Sequence, residues 1–494
     1  MKNLLHNPYF NISIYPIFFI LGYYISSLMG YTMYDDGWRH LAMAFYQDEI
    51  GSWGELFIHS LYKDYDPWFI WHNLIRFLAS ITSNESVHII INGFIYASLS
   101  SWFYIVFKRY SQFNLYMILF LSIVLPILNY RYFFLRPDVI SGLFLLYFML
   151  IQKRYLIILI SLLYIPFYYV FWFYFGYLGI LKLFLKKYKD LILLICLCII
   201  GFIFHLSYNM DGFIDITKNV LNNDVLLQGN SVGESKPMFL PLEIKNSLGS
   251  TFLLITLLAI SYLFYIVFKP KDRVLELLIL FMPLIILQVR FYALLYPLIL
   301  AYGSILIYKF STIIYENGLT YAINLVINFI KERSYFGDIP KKYIKLLFVI
   351  TVCGILSFSF IEKIISYKKY QKDIKNLDFI LADEFKNKRI LFSSMNTSLY
   401  ISIYKNPTAK YLPSCSLGWV DYKDEDLKNT YFKLLTNKKT IEIDEFSKFL
   451  EFNKIDIIIV TYDSNNIVIN SKELNEKGYE FYKLYKNNII FIKK

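Results

Sequence analysis

Apolar residues fill this chain in long unbroken blocks rather than in alternating or narrowly striped patterns. Such blocks lie near 10–30, 86–107, 113–130, 138–152, 191–208, 249–268, 274–289, 291–308 and 343–361. A helix crossing a bilayer needs about 20 apolar residues, because hydrocarbon tolerates only backbone groups that are paired internally. The stretch 155–181 is too long for one upright helix and divides into two short or tilted segments, with a break near Pro166. The pattern therefore predicts a polytopic α-helical membrane protein of about eleven transmembrane helices, its termini on opposite sides. The first block ends Ser26-Ser27-Leu28-Met29-Gly30 without a small-x-small cleavage site, and reads as a retained span rather than a removed signal peptide.

After about residue 362 the pattern changes. Polar, helix-like stretches separate strand-like runs at 389–394, 455–462 and 487–493. The expected organisation is a transmembrane domain over 1–362, with a long first outer loop at 31–85, followed by a small C-terminal extracytoplasmic α/β domain over 363–494.

Composition supports the membrane reading. Of 494 residues, 57% are hydrophobic and only 18% charged, whereas soluble proteins carry roughly a quarter charged residues. Disorder, collagen-like repeats and coiled coil need more polar sequence. Four cysteines exclude a disulfide scaffold. The net charge of +12 is carried largely by Lys108-Arg109, Lys153-Arg154, the Lys182–Lys189 cluster, Lys269–Arg273, Lys331–Lys342 and the polar C-terminal region. The loop clusters fall on one side, which the retention of Lys and Arg in the cytoplasm makes the inner one. The expected topology has a cytoplasmic N-terminus and an extracytoplasmic C-terminus, with the charge reporting orientation rather than a nucleic-acid partner. No GxxxxGK[ST] or GxGxxG loop points to a nucleotide.

Against that background the sparse outer charges carry the candidate chemistry. Asp35 and Asp36 directly precede a segment in which Trp38, Leu41, Ala42 and Phe45 recur at helical spacing, an amphipathic helix suited to the membrane surface. One carboxylate can cap that helix. Equally, one can serve as a general base while the other orients a substrate or cation, since adjacent carboxylates raise one another's pKa. A second amphipathic stretch follows Asp66-Pro67, with Trp68, Trp71 and Leu74-Ile75 on its apolar side. Asp64-Tyr65-Asp66 matches a short acidic pattern able to hold a divalent cation with a phosphate, and also an ordinary turn before Pro67. His40, His59 and His72 share the loop without regular metal spacing. Arg131 and Arg136 flank a short outer turn closed by Pro137-Asp138, and Arg290 stands at another outer span end. Guanidinium groups there suit phosphate, while snorkelling to headgroups or an Arg136–Asp138 pair are the structural alternatives.

These pieces together resemble the GT-C superfamily of integral-membrane glycosyltransferases, which includes protein O-mannosyltransferases and the aminoarabinose transferase of lipid A. The resemblance is carried by YDDGWRHLAMAF after the first span, YDPWFIWH in the same loop, the RYFFLRPD turn, the late QVRFYALLYPLILAYG segment and the C-terminal outer domain. It implies transfer of a sugar from a polyprenyl-phosphate carrier to an envelope glycan, lipid or protein, usually with inversion, at the outer face of a bacterial inner membrane. Asp35 or Asp36 would then be the base or acceptor-orienting residue, and Arg131, Arg136 and Arg290 would hold the donor phosphate. Asp64, Asp66, His72 and Asp138 are further substrate or loop candidates. No nucleotide cofactor is needed for such a transfer, and a divalent cation fits the acidic pattern. An O-antigen-type polymerase, or a non-catalytic transporter or assembly protein, are the alternative readings.

Overall fold

A computed structural model describes residues 8–29, 37–46, 58, 66–111, 113–133, 135–150, 153–184, 186–214, 217, 297–298, 300–301, 303–305, 383–392, 397–412, 426–427, 430, 443–461, 471–485 and 488–494. Helix α1 (Pro8–Met29) is followed by the short α2 (Gly37–Phe45) and by α3 (Phe69–Ile81). Then come α4 (Asn84–Tyr110), α5 (Leu115–Leu128), α6 (Asp138–Leu150), α7 (Arg154–Tyr164), α8 (Phe171–Phe184) and α9 (Tyr188–Tyr208).

Helices α1 and α4 run antiparallel and approach closely because glycine lines their contact. A Cβ on Gly22 would lie 2.7 Å from the Tyr96 side chain, and one on Gly93 would lie 3.2 Å from Phe19. Hydrogen bonds from buried polar tips then tie the later helices to α4. Trp102 Nε1 donates to the Leu146 carbonyl at 2.9 Å, Tyr96 Oη to that of Ile123 at 2.7 Å, and Tyr147 Oη to that of Ser98 at 2.8 Å. Each spends a donor that burial would otherwise leave unsatisfied. At one end of this helical layer, Arg109 donates to the Leu150 carbonyl, and Arg154 and Lys182 both reach Asp190. The basic clusters of α4, α7 and α8 thus gather at that end.

The expectation of about eleven spans is overturned. Among the described residues only Ser86–Arg109 and Tyr188–Tyr208 are long and apolar enough to cross a membrane, and the first is mostly buried inside the protein. The cause is local. The blocks at 113–130, 138–152 and 155–181 fold as helices of only 11 to 14 residues. At a rise of about 1.5 Å per residue these reach roughly 16–21 Å, short of the ~30 Å hydrocarbon layer. Pro126 lies in the last turn of α5, and Arg136-Pro137 precedes α6. The 155–181 stretch does divide at Pro166, where the 3-10 turn Ile165–Phe167 separates α7 from α8. In α1 the apolar part is Ser13–Leu28. The blocks at 249–268, 274–289 and 343–361, most of 291–308, and the boundary at 362 lie outside the described residues.

The C-terminal part contains a five-stranded mixed sheet in the order β2-β1-β3-β5-β4, formed by β1 (Arg389–Phe392), β2 (Lys410–Leu412), β3 (Ile457–Thr461), β4 (Tyr479–Tyr485) and β5 (Asn488–Lys493). Strands β1, β2 and β3 are parallel, whereas β5 runs antiparallel to β3 and β4. Strand alternation splits the sheet's side chains between two cores. Leu391, Leu412, Ile458 and Phe491 pack under α11 (Ile443–Phe452) through Phe446, Phe449 and Leu450. Ile390, Phe392, Ile457, Ile459 and Ile490 belong to a core continuous with the N-terminal helices. The junction is α10 (Thr397–Lys405), packed on α2 with the Tyr404 ring 5.1 Å from that of Trp38. First-loop residue Ile58 donates its backbone N–H to the Tyr411 carbonyl, on the outer side of strand β2.

Candidate active site

The buried polar residues of the first loop converge where α2, α3 and the turn before α6 meet. Helix α2 is buried on all sides, from Gly37 to Ala44. Arg39 and His40 are therefore enclosed, with about 2% and 1% of their surfaces exposed. This corrects the surface-helix expectation for α2: the polar positions beside its Trp38-Leu41-Ala42-Phe45 stripe face protein, since α3 and α10 cover the helix. Arg76 on α3 donates through Nε to the Ala44 carbonyl at 3.1 Å, satisfying a carbonyl in the last turn of α2.

Asp66 forms the entrance to α3. Its Oδ1 accepts the Trp68 backbone N–H at 2.9 Å, closing a turn around Pro67. Its Oδ2 accepts from His72 Nδ1 at 2.6 Å. His72 Nε2 in turn lies 2.8 Å from His40 Nδ1. One carboxylate and two buried imidazoles are thus joined in series. Trp68 walls the group, its ring edge-on to that of His40 at 5.1 Å, with the Arg39 guanidinium 5.9 Å from its centroid.

Arg136 enters from the turn before α6. It is buried, its Nε 3.5 Å from Asp138 Oδ1 in the first turn of that helix. The pair closes the turn, and Arg136 points into protein rather than outward. Leu135, just before it, is fully buried yet has φ 58°, a left-handed conformation costing roughly 1–2 kcal/mol in a residue with a Cβ. Both Arg136 and Arg39 act on His40. Burial first, then His72, Arg39 and Arg136, hold its imidazole well below the ordinary range.

Five residues predicted or noted in the sequence therefore meet here: His40, Asp66, His72, Arg136 and Asp138. Asp66 adopts the turn role, and both its oxygens accept protein hydrogen bonds. Among the described residues no three His, Cys, Asp or Glu side chains are grouped to hold a metal ion. Asp35, Asp36, Asp64, His59 and Arg290 lie outside the described residues; Gly37, next after Asp36, is the first residue of α2. Arg131 falls in the 3-10 turn Tyr130–Phe133, with its side chain outside the described set. Arg39 is the residue that sequence reasoning missed. Its signal was present, as the one formally charged residue of the nine-residue segment Gly37–Phe45, three positions after Asp36.

No protein-family model matches this chain, and no curated protein matches it significantly.

Proposed function

We propose that the protein transfers a sugar from a polyprenyl-phosphate-linked donor to a cell-envelope glycan, lipid or protein at the outer face of a bacterial inner membrane. The observation that carries this reading is the convergence of buried Arg39 and Arg136 on the enclosed His40, four residues after the Asp35-Asp36 pair. As the sugar departs, charge grows on the donor phosphate. Guanidinium groups fixed beside that phosphate stabilise the transition state more than the ground state. Asp35 or Asp36 then activates the acceptor on the opposite face of the sugar. The apolar surface of α9, which exposes Ile192, Ile195, Ile199 and Ile203, supports contact with lipid. So does the family resemblance of the first-loop and RYFFLRPD segments.

The test uses full-length protein in lipid nanodiscs, given a polyprenyl-phosphate-linked radiolabelled hexose and an envelope extract. Label transfer with release of polyprenyl phosphate is expected. Arg136→Gln should reduce it roughly a hundredfold, the scale for losing one charge-stabilising donor. Asp35→Asn and Asp36→Asn should not both retain full activity. A protein that releases no polyprenyl phosphate above empty discs, across the common donor hexoses and pentoses, would refute the reading.

A further inference from the structure

We propose that the basic end of the helical layer docks on the anionic phospholipid leaflet of a bilayer that α9 crosses. Charge, aromatic placement and the apolar surface beneath them fit the same partner.

Lys108 and Arg109 end α4, Lys153 and Arg154 open α7, and the run from Lys182 to Lys189 joins α8 to α9. Asp190 is the one acidic residue at that end among the described residues. It accepts from Arg154 Nε at 3.0 Å, which leaves both terminal nitrogens of that exposed guanidinium for a phosphate. Lys153, Lys186, Lys187 and Lys189 are exposed as well. Lys186 holds φ 55° in the tight turn after α8, where the Lys187 N–H reaches back to the Lys182 carbonyl. Glycine is the usual residue at such a position, so a cation stands there against backbone preference.

Helices α5, α7 and α9 all start at this end. Each carries a tyrosine in its first two residues: Tyr116, Tyr155 and Tyr188, which are 68%, 62% and 56% exposed. Tyrosine rings concentrate at the boundary between headgroups and hydrocarbon. Beyond them the surface turns apolar. Ile192, Ile195, Ile199 and Ile203 form one exposed stripe along α9, and Leu159 and Leu163 are exposed on the neighbouring α7. Only 22% of the apolar window of α9 is buried inside the protein, against 72% for that of α4. The 21 residues of α9 span about 30 Å, the thickness of the hydrocarbon layer. At its far end Tyr208 stacks on Phe69, the first residue of α3, 4.1 Å ring to ring. The first-loop site therefore lies across the bilayer from the basic end. A nucleic acid or an acidic protein would neutralise the lysines but leave the isoleucines in water; an anionic bilayer covers both. Docking and sugar transfer belong to opposite ends of α9, so either can fail without the other.

The test places full-length protein in phosphatidylcholine vesicles with a trace of spin-labelled phosphatidylglycerol or phosphatidylcholine. Electron spin resonance then counts the lipids slowed at the protein surface. A Lys or Arg near an anionic headgroup is worth about fivefold, or about 1 kcal/mol. Phosphatidylglycerol should be enriched about twofold to fivefold in the slowed shell, only part of which meets the basic end. Raising the salt concentration should erase the enrichment. Combining Lys153→Gln, Lys187→Gln and Lys189→Gln should erase it too, with the number of slowed lipids per protein unchanged. The same three positions changed to Arg should keep it.

Equal slowing of the two lipids around the wild type, or enrichment that survives the three glutamines, would overturn the docking. So would enrichment abolished by inorganic phosphate but not by chloride at equal ionic strength, the mark of a free-phosphate site. Duplex DNA bound by the wild type and lost in the glutamine variant, without phosphatidylglycerol enrichment, would assign this end to nucleic acid instead.

Discussion

His40 illustrates how one side chain's surroundings set a measurable property. An unfolded chain protonates this histidine near the usual 6.5, whereas the fold resists protonation there, chiefly through burial. The folded pKa is depressed, so the associated stability is complete above about pH 6.5 and drains as pH falls through the interval below it. The limiting slope is about 1.4 kcal/mol per pH unit. The melting temperature of the wild type should therefore fall between about pH 7 and pH 5.5, and that of His40→Gln should fall less. Equal acid sensitivity in the two proteins would contradict the assignment. At this scale the sequence was partly legible. Arg136 and Asp138 stand two apart across a proline, which announces a turn. Arg39 was hidden because a charge off the apolar stripe reads as facing water, and only a helix packed on all sides reverses that reading.

Among the elements, α8 and α9 approach most closely at Gly201 of α9, with Gly179 of α8 against Leu191 a second glycine contact. A Cβ on Gly201 would lie 2.3 Å from the Phe171 ring, which is fully buried and stacked on His205. Gly201→Ala should cost about 1–3 kcal/mol by overpacking. Gly176, on the exposed side of α8 with nothing within 4 Å of an added Cβ, provides the control. Gly176→Ala should be neutral or stabilising by up to about 1 kcal/mol through helix propensity. Chemical denaturation of both variants checks the pair, and a neutral Gly201→Ala would show that α8 and α9 sit farther apart. The break at Pro166 was readable because proline cannot continue a helix's hydrogen bonding. The strands at 389–392, 457–461 and 488–493 were readable from runs of β-branched residues. Strand β4 was not, since YEFYKLY mixes charges with exposed Phe481 and Leu484 at an edge. The three residues of β2 are too few to show a period.

Over the whole molecule, the first loop and the C-terminal sheet share a core. Tyr404 reaches across to Trp38, Phe45 and Tyr46, within 5.1 to 6.3 Å ring to ring. Tyr404→Ala should destabilise the protein by about 2–4 kcal/mol. It should also raise hydrogen exchange in α2, against which Tyr404 packs, more than in α4. Unchanged protection of α2 would mean that the helix is held by α3 alone. No periodicity could have disclosed this packing, because it joins residues about 360 positions apart and depends on tertiary contact, not on a local pattern.

That separation also sets a clock during biosynthesis. Residue 404 leaves the ribosome long after residue 46, and at about 5–20 residues per second the interval is roughly 20–70 s. Throughout it, the helix bearing Arg39 and His40 has no α10 to bury it. The chemistry of the first loop is therefore finished last, when the end of the chain arrives to close over its beginning.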